Sequence, residues 1–184
     1  MEPSPERSAQ SYKYHFKLFH DLMPNKIKHI LLICTSYEAW IMEEECRLSE
    51  QIVHEYRGLN LSHPPQLSWA SSPQEALLLL DTKDFDLVII MSREADLNAY
   101  RIGNEIKRKT PKMPVVLLTH QVVPPDACVF DPQLSSDIDR IFFWSGNADI
   151  LLAIVKCVED HLNVPNDTEC AGIRIILFIE DSPF

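Results

Sequence analysis

The residues best placed to do chemistry in this chain sit where short apolar runs turn polar. These junctions are Cys34-Thr35-Ser36, Met91-Ser92, Thr119-His120 and Trp144-Ser145. Cys34 offers a thiol nucleophile with one of the seven histidines as base. No spacing marks such a partner, and a cysteine on a buried strand usually behaves as a small hydrophobe. His120 could bind an anion or sense pH; a solvated loop residue is the simpler reading. Trp144-Ser145-Gly146 leads into a helix that Ser145 or Asn147 can cap, and amides exposed there could hold an anion. The plainer alternative is a cap beside a packing tryptophan. The five cysteines (Cys34, Cys46, Cys128, Cys157, Cys170) contain no CxxC pair, so reduced thiols are expected in preference to a metal site or disulfides. A nucleotide-binding GxGxxG turn is absent from a chain with only four glycines, which excludes a dinucleotide fold.

The elements that must position these junctions follow from the hydrophobic pattern. ILLIC from Ile30 is a short apolar run of the kind that a strand buried on both faces requires, and QLSWASS, FDLVIIM, PVVLLTH and RIFFWS read as four further strands. Helical signals separate them. Thr35 and Glu38 form a capping box for a helix through Trp40, Ile41, Leu48 and Ile52 to Gly58. Ser72, Pro73 and Glu75 stand at the N-cap, first and third positions of the next. A third helix carries Ala99, Ile102, Gly103 and Ile106 and ends near Thr110-Pro111, and NADILLAIVKCVEDHL predicts a strong last one. Residues 120–137 are proline-rich and weakly patterned. Five strands alternating with helices predict an α/β fold, a doubly wound five-stranded parallel sheet. In such a sheet function sits at the carboxyl ends of the strands, which is where the polar junctions fall.

The strand order, element lengths and FDLVII over residues 27–162 resemble the receiver domain of bacterial response regulators, a flavodoxin-like fold. A working receiver needs an acidic pair after its first strand to hold Mg²⁺ and an aspartate after the third as phosphoryl acceptor. A hydroxyl after the fourth and a lysine after the fifth sense the added charge. On that pattern the acidic pair falls on Cys34 and Thr35, the acceptor on Met91 and the lysine on Trp144; Thr119 alone keeps the expected type. Glu94 or Asp96 could bring one carboxylate to the rim but not the pair or the lysine. The resemblance therefore implies a pseudo-receiver without catalytic residues, metal or cofactor, its rim closed by Met91 against Trp144. MEEECRLSEQIVHEYRGLNLS, FFWSGNADILLAIVKCVEDHLNVPNDT and IRIILFIEDSP also look like the N-terminal region of large bacterial proteins with phosphoenolpyruvate synthase/pyruvate, phosphate dikinase domains. That implies a regulatory or scaffolding module whose partners are downstream domains of the same chain. The alternative is a module that binds a phosphorylated metabolite or contributes to phosphoryl transfer.

Composition fits this class. Over 184 residues the chain is 46% apolar and 24% charged, ordinary for a globular protein. A formal net charge of −10 without a basic block excludes a nucleic-acid surface and is poor for anionic membranes. No apolar run approaches the roughly 20 residues that span a bilayer, and the start MEPSPERSAQ is no secretory signal, so a cytoplasmic location is expected. Residues 1–25 predict a disordered start and an amphipathic helix striped by Tyr12, Phe16, Phe19 and Met23 and stopped by Pro24. The stripe packs on its own domain or forms a partner surface, which admits a homodimer. The receiver-like domain spans 26–162, and 163–172 reads as a linker. Residues 173–184, IRIILFIEDSPF, read as the first strand of a truncated second receiver-like domain, in which Glu180 and Asp181 would be the Mg²⁺ pair.

Overall fold

A computed structural model of the chain describes residues 22–45, 50, 53–54, 64–92, 97–120, 137–144, 146 and 149–171. They fall into two compact units: Ile27–Cys157, and a smaller one in which residues 22–26 join residues 158–171.

In the larger unit β1 (His29–Ile33), β2 (Gln66–Ala70), β3 (Leu87–Ser92), β4 (Val115–Thr119) and β5 (Arg140–Phe143) form one parallel sheet of order β2-β1-β3-β4-β5. The helices of this unit are α1 (Ser36–Trp40), α2 (Pro73–Thr82), α3 (Leu97–Lys109) and the first part of α4 (Asp149–Ala171), whose residues from Val158 onward belong to the smaller unit. All of β4 and the first five residues of β3 are buried. Side chains alternate across a strand, so each run feeds two cores. Leu31, Ile33, Val88, Ile90, Val115 and Leu117 pack with Ala76 of α2 and Ala99, Tyr100 and Ile106 of α3. Ile30, Leu32, Leu87, Ile89, Val116 and Leu118 face the other way and are equally buried. The sheet is doubly wound, as the sequence predicts. Before β1, Asp86 Oδ2 accepts the amides of Lys28 and His29 at 2.8 and 2.9 Å, tying the start of β3 to that of β1.

Both caps stand where the sequence places them. Thr35 and Glu38 make the reciprocal box. At α2, Ser72 Oγ accepts the Glu75 amide at 3.2 Å, but the Glu75 carboxylate takes the amide and hydroxyl of Ser71, both at 2.8 Å. Those bonds hold the Glu75 carboxyl below its ordinary range, because they stabilise its charged form.

Two helices differ from expectation. The first is α-helical over Ser36–Trp40 and widens into a π turn over Ile41–Glu45, a geometry with no propensity signature in sequence, while Glu50, Val53 and His54 beyond it are again helical. The last does not stop before a linker at 163; it runs to Ala171 with Pro165 inside it. In the smaller unit the Asn163 side chain bonds the backbone of Asn25, a tertiary support that local sequence cannot reveal. The expected N-terminal helix before residue 22, residues 46–49, 51–52 and 55–58 of the stretch past the π turn, residues 121–136, the carboxylates Glu94 and Asp96, the caps Ser145 and Asn147, and the strand at 173–184 lie outside the described residues.

At Gly103, α3 packs closely against Asp137 and Ile138, which lead into β5. A Cβ there would lie 2.7 Å from Ile138 Cδ1 and 3.2 Å from the Asp137 carbonyl oxygen. Side chains hold the approach: Asn104 Nδ2 donates to Asp137 at 2.7 Å. Lys107 donates to the Met113 carbonyl at 2.7 Å and to Asp139 at 2.6 Å. The same Asp139 oxygen accepts the Val115 amide at 2.7 Å. Alanine at 103 would gain roughly 1 kcal/mol of helix propensity against about 1–3 kcal/mol of overpacking. Gly103→Ala is therefore expected to destabilise in urea unfolding, and adding Ile138→Val, which removes the clashing methyl, should recover most of the loss. A stabilising Gly103→Ala would contradict the close packing.

Candidate functional site

The carboxyl rim of the sheet is built by continuing its ladder one residue past the strands. The Cys34 amide donates to the Ala70 carbonyl at 3.1 Å and the Trp144 amide to the Thr119 carbonyl at 2.7 Å. Registry sets Ser92 opposite Thr119, and Thr119 opposite Phe143. By alternation Cys34, Met91 and Trp144 share the side that carries Leu32, Ile89 and Leu118.

Burial decides what this rim can do. Cys34 is 5% exposed, Met91 7%, Thr119 1% and Trp144 7%; three of these are apolar side chains at positions where charge could otherwise act. His120 is exposed, as a solvated loop residue should be. Thr35, at the second place of the expected acidic pair, spends its amide and hydroxyl on Glu38 Oε2, both at 2.9 Å. Glu38 is the rim carboxylate that sequence reasoning treated only as a cap: it is 6% exposed, and nothing in a T-x-x-E pattern reports burial. Its charge has a visible effect. Burial first, and the Glu38 carboxylate second, push the Cys34 thiol up to about 12, against a backbone hydrogen bond involving Ala39. A thiol so protonated is no nucleophile near neutral pH. Among the described residues no group of three His, Cys, Asp or Glu side chains could hold a metal ion. Glu180 and Asp181 lie outside them.

The fold is that of receiver domains. The chain superposes on a CheY-like response regulator receiver domain protein from Methanospirillum hungatei with a TM-score of 0.55 at 16% identity, covering 76% of this chain and 99% of that one. The response regulator protein TrrA of Thermotoga maritima, in complex with Mg²⁺ and BeF, gives 0.52 at 21% identity over 72% of this chain and 99% of that one. The N-terminal domain of a response regulator/sensory box/GGDEF three-domain protein from Carboxydothermus hydrogenoformans gives 0.52 at 15%, over 76% and 99%. No protein-family model and no curated protein matches the chain. At such identities the likeness establishes the fold, while function depends on the residues of the site itself. Among the described residues no helix is long and apolar enough to cross a membrane.

Met91→Asp is expected to lower stability by about 1–3 kcal/mol, since a carboxylate at this buried position would be desolvated beside Leu118 of the neighbouring strand. An unchanged or raised melting temperature would show that the rim is not closed. The thiol gives a second expectation. The folded state keeps the Cys34 proton above the free-thiol value of 9.0 up to about 12. Its contribution is thus complete below pH 9.0 and lost as pH rises through that window. Cys34→Ala should flatten the decline in melting temperature above pH 9.0, and native Cys34 should resist alkylation at pH ~8 while an unfolded thiol reacts. Because Cys170 is exposed, the label is mapped by residue, and rapid alkylation of Cys34 itself in the native protein would overturn this.

Proposed function

We propose that this chain is a receiver-fold regulatory or scaffolding module that does not accept a phosphoryl group. It acts through downstream domains of a larger phosphoenolpyruvate synthase/pyruvate, phosphate dikinase-like protein. The observation that carries the first part is Met91, buried at the carboxyl end of β3. A thioether cannot take a phosphoryl group as a carboxylate does, and it is a soft ligand that Mg²⁺ does not favour. Cys34 and Thr35 at the end of β1 add to it: one is a protonated thiol and the other is engaged by Glu38. Trp144 offers no cation at the end of β5. The parent protein is read from the sequence resemblance of the three long segments. A receiver-fold domain at the N-terminus of a multidomain protein has a parallel in the three-domain protein of C. hydrogenoformans.

Incubation with acetyl phosphate and Mg²⁺ should leave the mass of the protein unchanged. A stoichiometric base-labile adduct mapping to residues 91–96 would defeat the proposal. Thermal shifts with phosphoenolpyruvate, pyruvate, ATP and phosphate separate the scaffold from a ligand sensor, because specific binding raises apparent stability. No shift is expected, and a saturable shift with one of the four would favour the sensor.

A further inference from the structure

The second half of α4 is a helix that its own sequence does not support. Pro165 cannot donate to the His161 carbonyl, and its ring crowds that group. Asn163, Asn166, Asp167 and Thr168 are weak helix formers. The last turn holds no basic residue, while Asp167 and Glu169 lie near the negative end of the helix dipole.

What supports it is a short strap, residues 23–26, laid along one helix face. Positions 159, 163 and 167 recur at four-residue intervals and so line one side. The Asn163 side chain, 1% exposed, pairs with Asn25 as one peptide unit pairs with another. Its Oδ1 accepts the Asn25 amide at 2.8 Å and its Nδ2 donates to the Asn25 carbonyl at 2.8 Å. The second Nδ2 hydrogen goes to the Glu159 carbonyl at 2.7 Å, so the amide is fully used. One turn on, Asp167 Oδ1 accepts the Met23 amide at 2.8 Å; one turn back, Lys26 pairs with Glu159 at 3.8 Å. Met23 is held at φ +54, a left-handed backbone that a non-glycine residue adopts only where surroundings impose it. On the helix, a buried Asn stripped of this partner would leave polar groups unsatisfied.

We propose that residues 160–171 form a conditional helix, latched by the strap and released when the chain before Met23 is drawn away. Strap and helix end then order or melt together, a local two-state element. Displacement of the segment that leads into β1 is thereby converted into loss of helix in the segment that leads onward from the fold. This needs no chemistry at the rim and stands whether or not the phosphorylation proposal does.

Amide hydrogen exchange on the whole chain tests it. Asn25→Pro removes the Asn25 amide hydrogen and side chain without touching the helix sequence. Exchange at 166–171 and at Met23 is expected to quicken tenfold or more, with amides of β1, β3 and β4 unchanged. Asn163→Leu should do the same, and Pro165→Ala added to it should restore protection at 166–171 but not at Asn25. Protection at 166–171 within twofold of wild type in both single variants would overturn the proposal. So would loss of protection in the strands together with the helix end, because the strap would then belong to the global fold.

Discussion

The burial of β1, β3 and β4 on both faces is the constraint from which the rest follows. A strand between two neighbours and two helical layers can show polar atoms only at its ends. Residues 87–91 and 115–119 satisfy that demand with apolar side chains apart from Thr119. Helices must then cover each face, loops must cross from one end of the sheet to the other, and any chemistry must gather at the rim. At the opposite end the same demand is met by carboxylates: Asp86 gathers the amides before β1, and Asp139 gathers the Val115 amide and Lys107. One end of the sheet is fixed by charge and hydrogen bonds, the other by packing.

That division gives the rim its character. Asp86 and Asp139 are half-buried or exposed, where water shares the cost of their charge. The rim positions Cys34, Met91 and Trp144 are buried, and a charge there would need a partner or a metal to offset desolvation. An apolar set is self-consistent: each member removes the reason for the others to be charged. Glu38 is tolerated beside them because Thr35 supplies two hydrogen bonds to one of its oxygens.

Much of this was legible in the sequence, for local reasons. Runs such as LVIIM and VVLLT can hardly be anything but doubly covered strands, and Thr35-x-x-Glu38 and Ser72-Pro73 announce helix starts by chemistry confined to a few residues. That Cys34, Met91, Thr119 and Trp144 stand at the carboxyl ends of the strands was legible as well, since each closes or directly follows an apolar run. What escaped depended on partners remote in the chain. Residues 163–171 look like a linker because Pro165 and the Asn-rich stretch around it are poor in isolation; Asn25, 138 positions away, supplies the support that local propensity lacks. The π turn after Trp40 leaves no mark at all, and the burial of Glu38 depends on neighbours that a capping pattern does not name.

Trp144 has a consequence for observing the molecule. Of the three tryptophans, Trp40 is 54% exposed, Trp69 is half-buried, and Trp144 is 7% exposed against the carboxyl end of β4. An indole shielded from water emits at shorter wavelength and is reached slowly by dissolved quenchers, so the buried rim carries its own optical label. Light from Trp40 can be suppressed by a collisional quencher while that from Trp144 persists. The state of the sheet's carboxyl end can therefore be followed in the unmodified protein, without a dye or an added tag.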